Sequence, residues 1–257
     1  MSAEFALRTA RLKDPGLLGV YQEVHPKRRY YAMVRTEAGT QAKHYFPASV
    51  TQIAGKKWGE PVDFQSAAMA VSSDVHRAIN AELDGLPHAY RIGTQEAQNS
   101  WDQFRDWRRQ EEPHRILASE AFVWCRHLNV AGTLDLLHET DRRIVTDFKA
   151  LLEPKATDGT GIPAAWKLQL AGYSLLLESC GLDPIDEGRI LVLPKDGSPW
   201  QQITIWSTRE ARQILQFCFA TATRMFHNLA LARTVKPEFK VPDSPELSEE
   251  ELWANWA

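Results

Sequence analysis

Two aspartates stand six residues either side of Asp141: Asp135 in a strand-like run at 130–138, Asp147 in another at 143–150. If the two runs pair as an antiparallel hairpin about Asp141, the aspartates become cross-strand neighbours. Strand side chains alternate, so Asp147 and Lys149 then leave the same face, and two carboxylates and an ammonium gather around one point. Carboxylates placed directly opposite each other repel unless a cation or a proton lies between them. A divalent metal meets that need. Hard oxygen ligands suit magnesium or manganese, which can polarise a phosphoryl oxygen and activate a water. Lys149 beside such an ion could orient or deprotonate the water, or neutralise charge developing on a phosphate. The same D-x-K spacing also suits a structural Asp–Lys pair on a surface hairpin, so the neighbouring residues decide between the two.

Gln169 and Tyr173 lie four apart on a helical segment that opens at Pro163 and ends near Cys180 with Gly181 beyond it. On one helix face, an amide and a phenol can hold a phosphate or brace metal carboxylates, or simply form a polar rim. Glu120 falls in a strand at 118–126, within reach of the lysine or the water. His76 sits at the edge of an apolar stripe (Ala68, Val71, Val75, Ile79, Leu83) in a helix at 63–83, as a third ligand or a core-edge histidine.

Around these residues the chain reads as a mixed α/β core. Short strands at 17–47, broken by Glu37-Ala38-Gly39, form a β-rich lead-in. The helix at 63–83 is followed by a second at 94–110, which turns Trp101, Phe104 and Trp107 inward and its arginines outward. Three strands, the helix from Pro163, a hairpin of 189–193 with 201–206, and a last helix follow. The last helix starts at a capping box, Ser207-Thr208-Arg209-Glu210. The expected division is a lead-in at 1–60, a core at 61–240 and an acidic tail at 241–257.

The 257 residues carry a net charge of −3, which looks unsuited to a phosphate-binding surface. The charge is segregated, however: residues 243–251 hold five acids and no base, so without them the chain stands at +2. Lys27, Arg28, Arg29 and Arg35, and then Arg105, Arg108, Arg109 and Arg115, could track a phosphate backbone or form ordinary solvated faces. Cys125, Cys180 and Cys218 are too scattered for a disulfide framework, a structural zinc or an iron–sulfur cluster, and read as small buried apolar residues. With no apolar run of about 18 residues and no signal-peptide core, the expectation is a cytoplasmic chain without a membrane span.

Taken in order, His76, Glu120, Gly132-x-x-Asp135, Asp147-x-Lys149 and Gln169-x-x-x-Tyr173 resemble the PD-(D/E)XK nuclease superfamily, in particular its RecB-like and phage-type recombination exonucleases. Tyr30-Tyr31 and the stretch at 46–53 are similar to the lead-in of phage-borne members. The resemblance implies a restriction-endonuclease-like α/β core, a mixed central sheet flanked by helices, behind a small β-rich N-terminal segment. It implies a metal-dependent DNA exonuclease of phage or mobile-element recombination and repair. His76, Asp135, Asp147 and the backbone carbonyl of Phe148 would hold magnesium (Mg2+), with manganese (Mn2+) as substitute. Lys149 would position the attacking water, Glu120 would support it, and Gln169 with Tyr173 would contact the substrate or brace the ligands. The products would carry a 5′-phosphate and a 3′-hydroxyl. DNA is the implied partner, with a recombination protein and a homo-oligomer as further expectations. A structure-selective or nicking endonuclease, and a catalytically silent DNA-binding module, are the competing outcomes. The segment at 70–76 lacks the glycine that often precedes the family's histidine, and no cysteines are placed for the iron–sulfur cluster of some relatives.

Overall fold

The computed structural model describes residues 17–23, 29–35, 40–55, 67–86, 90–111, 115–151 and 161–234. In chain order the elements are β1 (Leu17–Glu23), β2 (Arg29–Arg35), β3 (Gln41–Phe46), β4 (Ala48–Ser49), α1 (Val50–Gly55), α2 (Ala67–Leu83), α3 (Gln95–Gln110), β5 (Arg115–Cys125), β6 (Val130–Glu139), β7 (Arg143–Leu151), α4 (Ala164–Ser179), β8 (Glu187–Pro194), β9 (Gln201–Trp206) and α5 (Arg209–Thr234). Two sheets result. β1, β2 and β3 form an antiparallel meander, and the remaining strands form a mixed sheet in the order β4-β6-β7-β8-β9, with β5 on β6.

β6 and β7 pair antiparallel in the register expected for a hairpin about Asp141, from Glu139↔Arg143 to Leu136↔Thr146. There the ladder ends. Further back along β6, at Val130 and Ala131, β4 pairs parallel with it. Among the described residues, the stretch 132–135 of β6 therefore pairs with neither β4 nor β7, while β5 covers its other edge. β7 continues past the split, paired in parallel with β8 as far as Leu151. The sheet is forked, and Asp135 and Asp147 sit where the prongs part. Because β4 and α1 are joined to the core in this way, the core sheet takes in Ala48–Ser49, ahead of residue 61.

Helices cover both faces. Val71, Val75 and Ile79 of α2 pack with Phe104 and Trp107 of α3 against Leu136, Phe148, Leu191 and Leu193. On the other face α1, α4 and α5 bury Val50, Ile53, Leu170, Leu176 and Phe219 against Val123, Leu134, Val145 and Ile190. This is the mixed α/β sandwich that the order of elements implies, one sheet between two apolar layers. Gly172 makes the second layer tight: a Cβ there would lie 2.6 Å from Phe219 and 2.9 Å from Val50.

Local signals are mostly realised. Thr94 caps α3 by accepting from the Ala97 N–H at 3.2 Å. Gly181, at φ 100°, ends the turn after α4. Two details differ from expectation, and a third narrows an open one. α5 is capped by Thr208, whose hydroxyl accepts from Ala211 N–H at 3.3 Å, one residue later than a Ser207 box. Cys218 is exposed on α5, whereas Cys125 and Cys180 are buried. Arg105 and Arg108 face Glu82 at 3.6 and 4.0 Å, Arg109 faces Asp106 at 3.1 Å and Arg115 faces Glu139 at 3.3 Å, so this second basic cluster is held in local ion pairs. The loop at 153–160, the tail at 241–257, residues 36–39 and Lys27-Arg28 lie outside the described residues. Among the described residues, no helix is long and apolar enough to cross a membrane.

Candidate metal centre

The fork collects acids from three strands. Ser119 pairs with Leu136 and Ala121 with Leu134, so Glu120, between them, stands across from Asp135 on the β5 side, as Asp147 does one step beyond the β7 ladder. Glu120 has φ 43°, a left-handed backbone that non-glycine residues rarely adopt. The regular alternation of the strand is broken at this point, and Ala118 and Ala121, three apart, enter the same core. Ser119 donates to Asn80 Oδ1 at 2.9 Å, tying this irregular level of β5 to α2. That helix presents His76 one position beyond the buried Val75.

His76 Nδ1 lies 3.3 Å from Glu120 Oε1 and 3.3 Å from Asp135 Oδ1. One ligand atom from each of these three side chains falls within 4.8 Å of the others, a spread that a single metal ion could span. Asp135 uses its other oxygen, Oδ2, to accept the Phe148 N–H at 2.6 Å. A side-chain carboxylate thus takes the place of a strand partner where the ladder stops. The Phe148 ring packs edge-on against His76, with centroids 6.0 Å apart.

Asp147 points elsewhere. Its Oδ2 is 2.7 Å from Lys149 Nζ, and Lys149 in turn donates to Gln169 Oε1 at 2.9 Å. Gln169 Nε2 donates to the Tyr173 hydroxyl at 3.1 Å. The Tyr173 ring lies over Gly132, where a Cβ would come within 3.0 Å of the ring and 3.0 Å of Val50. The glycine of the Gly132-x-x-Asp135 spacing therefore sits under the close packing of α4 on β6, where a Cβ would make Tyr173 and Val50 give by a few tenths of an ångström. Trp166, whose ring lies 5.6 Å from Lys149 Nζ, was not singled out from the sequence. Its spacing of three from Gln169 and seven from Tyr173 was the available signal.

The charges are unevenly balanced. Burial works against a charge on His76, but the carboxylates of Asp135 and Glu120 outweigh it and hold the imidazole pKa well above its usual value. Asp135, despite burial, is held below the usual carboxyl range by His76, the Phe148 N–H and Lys149. Asp147 goes the other way. Burial, restrained by Lys149 and reinforced by the negative charge of Asp135, raises it from 3.8 to about 6. Both of its oxygens are buried without a well-directed hydrogen bond, the Lys149 contact being close but poorly angled. An orphaned buried carboxylate beside a His–Glu–Asp cluster is the donor set a hard divalent cation would satisfy.

Of the residues singled out from sequence, the structure brings His76, Glu120 and Asp135 into one cluster, and Asp147, Lys149, Gln169 and Tyr173 into a chain beside it. The two groups meet at Phe148. The grouping differs from the expected one, in which Asp147 stood with His76 and Asp135, and Glu120 stood by the lysine or the attacking water.

A family model described as PD-(D/E)XK nuclease superfamily matches residues 52–246, a stretch containing every residue of both groups. No curated protein matches the sequence. Among solved structures, the crystal structure of SSO0001 is 13% identical, over 66% of this chain and 77% of its own, with a TM-score of 0.29. That likeness is too distant to inform function.

Proposed function

The chain belongs to the PD-(D/E)XK nuclease superfamily, and from that premise we propose that it is a magnesium-dependent DNA exonuclease acting in phage or mobile-element recombination. The observation that carries this reading is the buried Asp147, whose oxygens lack directed donors, beside the His76–Glu120–Asp135 cluster. His76, Glu120 and Asp135, which already converge, would hold the cation, with the Phe148 carbonyl and Asp147 as further ligands, Asp147 by turning an oxygen from Lys149. When bound, it would polarise a phosphoryl oxygen and make water a better nucleophile.

The remaining work falls to side chains. Lys149 is held by its hydrogen bond to Gln169 and by the neighbouring charge of Asp147, and its remaining N–H donors can reach the attacking water or a phosphate oxygen. Holding that ammonium still is worth more than its charge alone, since an oriented donor needs no reorganisation as negative charge builds on the phosphate. Gln169 and Tyr173 position Lys149 through the hydrogen-bonded chain that ends over Gly132. Water adds to phosphorus in line, the bond to the 3′-oxygen breaks, and that oxygen takes up a proton. The ends are a 5′-phosphate and a 3′-hydroxyl.

The test is a time course on linear DNA labelled separately at each end, as single strand and duplex, with closed circular DNA alongside. Magnesium, manganese and chelator are compared. Stepwise loss from an end, only with a divalent ion, is the expected result. Cleavage of the closed circle at the same rate would reject the exonuclease, and no cleavage with either metal would reject the nuclease.

A further inference from the structure

The side of α5 turned away from the core is apolar. Phe219 and Thr223 are buried, whereas Ile214 is 64% exposed, Phe217 71% and Met225 53%. With the exposed Cys218 and Thr221 these follow the i, i+3, i+4, i+7, i+11 spacing of one helix face, a stripe about 16 Å long at about 1.5 Å per residue. Single apolar residues on a surface need no account, but a continuous stripe of them marks an interaction face. The metal centre uses none of it. Glu210 and Arg224, both exposed, stand beside the stripe, seven residues before and seven after Phe217. Fourteen residues are close to four turns, so the two charges lie on the same flank, about 40° apart around the helix axis. Among the described residues, neither makes an ion pair within its own chain.

We propose that this face joins two copies of the chain, α5 against α5 in antiparallel sense, about a two-fold axis at Phe217. Such an axis sets equal flanks against each other, and residues equidistant from Phe217 on opposite sides meet. Glu210 of each copy then faces Arg224 of the other, and Phe217, Ile214 and Thr221 close on the second copy between the two ion pairs. Opposite charges at equal distances from the middle of an apolar stripe are self-complementary. A nucleic acid would instead be repelled by Glu210 and gain nothing from Ile214 or Met225. Cys218, the exposed one of the three thiols, stands one residue from the axis. It and its counterpart are offset by about 3 Å along helices that pack about 8–10 Å apart, within reach of a short crosslinker. One helix face is smaller than the about 800 Å² per partner of a tight complex, so the dimer is reversible and forms at micromolar concentration.

Sedimentation velocity on the full chain, up to about 200 µM, should show a monomer–dimer equilibrium. Phe217→Asp should leave only monomer, with the melting temperature of the natural chain. Glu210→Arg and Arg224→Glu should each weaken self-association by roughly tenfold, because each sets like charges against one another at both ends of the stripe. Mixed one to one, these two variants should associate with each other as tightly as the natural chain does with itself, since the mixed pair restores both contacts. A short bismaleimide should join two natural chains and fail with Cys218→Ser. A monomer at every concentration, a dimer untouched by Phe217→Asp, single variants that do not recover on mixing, or a dimer that Cys218 does not crosslink would each overturn the proposal. None of these measurements involves DNA, so the dimer face and the nuclease reading stand or fall separately.

Discussion

The two ends of the β6–β7 hairpin are built from the same strands and treat charge in opposite ways. At the closed end, Glu139 faces Arg143 in register at 3.6 Å and also meets Arg115 at 3.3 Å. Asp183 lies 3.5 Å from Arg143, and Asp186 accepts the Arg143 backbone N–H at 2.8 Å. Every one of these acids has a donor from the chain itself. At the open end, Glu120, Asp135 and Asp147 stand on three adjacent strands with one imidazole and one ammonium among them, and Asp147 is left without a directed donor. The closed end resolves its electrostatics internally, as a structural turn must. The open end does so only if something positive comes from outside.

The largest test of that contrast is Asp147→Asn. On linear DNA with magnesium it should lose activity by at least about 10³-fold, as expected when a group that organises charge at a reacting centre is removed. In chelator the same variant should be more stable than the natural chain, which is the opposite of what a structural ion pair would give. The folded carboxyl titrates at about 6 rather than 3.8, so its contribution is fully present below pH 3.8 and is lost as the pH climbs to 6. The advantage of Asn should therefore be absent at acid pH and reach on the order of 3 kcal/mol above pH 6, roughly 6–12 °C in Tm by calorimetry. Magnesium should reverse the order above pH 6, because only the carboxylate gains from it. A constant difference across the pH range would remove the premise that Asp147 is an incompletely compensated buried acid.

His76 sharpens the comparison further. Its raised pKa means that, at neutral pH in the absence of a cation, a proton supplies part of the missing positive charge, and a metal bound to the ring must displace it. Magnesium affinity should then strengthen as pH rises, by up to about tenfold per pH unit for each proton released. Calorimetric titration in two buffers of different ionisation enthalpy would measure the release, and zero protons would remove His76 from the ligand set. In His76→Ala the release should fall.

How much of this could be read in advance divides along the same line. The closed end is local: two aspartates equidistant from Asp141 and two β-rich runs sufficed to place the register, and α3, α4 and the β8–β9 hairpin carried ordinary boundary signals. The fork is non-local. It exists because β4, more than 80 residues upstream of β6, takes the beginning of that strand's edge, and no pattern within 130–150 encodes that. From the sequence Glu120 was placed only on a strand, within reach of the lysine or the water. The left-handed backbone at Glu120 breaks the regular alternation of β5, which no local pattern announces, and the side chain meets His76. Gly132 was legible as part of a spacing but not as a packing requirement, since the ring it admits comes from Tyr173.

That requirement gives a prediction of intermediate size. Gly132→Ala should destabilise the chain by about 1–3 kcal/mol, since Tyr173 and Val50 must both give way in a filled interior. Displacing Tyr173 also loosens Gln169 and hence Lys149, so kcat should fall more than KM rises. Denaturant midpoints and steady-state rates on linear DNA separate the two effects. A variant that is less stable but fully active would show that the chain of hydrogen bonds from Tyr173 to Lys149 does not position the lysine.

The smallest effect belongs to the closed end. Arg115→Ala removes one of the two bases on Glu139, from a side chain that is 74% exposed, while Arg143 remains opposite in register. Exposed pairs of this kind contribute between about 0 and 1 kcal/mol, because solvent and salt screen the attraction and two long side chains lose freedom in forming it. The denaturant midpoint should shift by no more than that and the nuclease rate should not change. The same removal at the fork, Lys149→Ala, would leave Asp147 buried with no neighbouring ammonium and should abolish activity. A large loss of activity from Arg115→Ala would mean that charge at the closed end is communicated along β6 to Asp135, and that the two ends cannot be treated as independent.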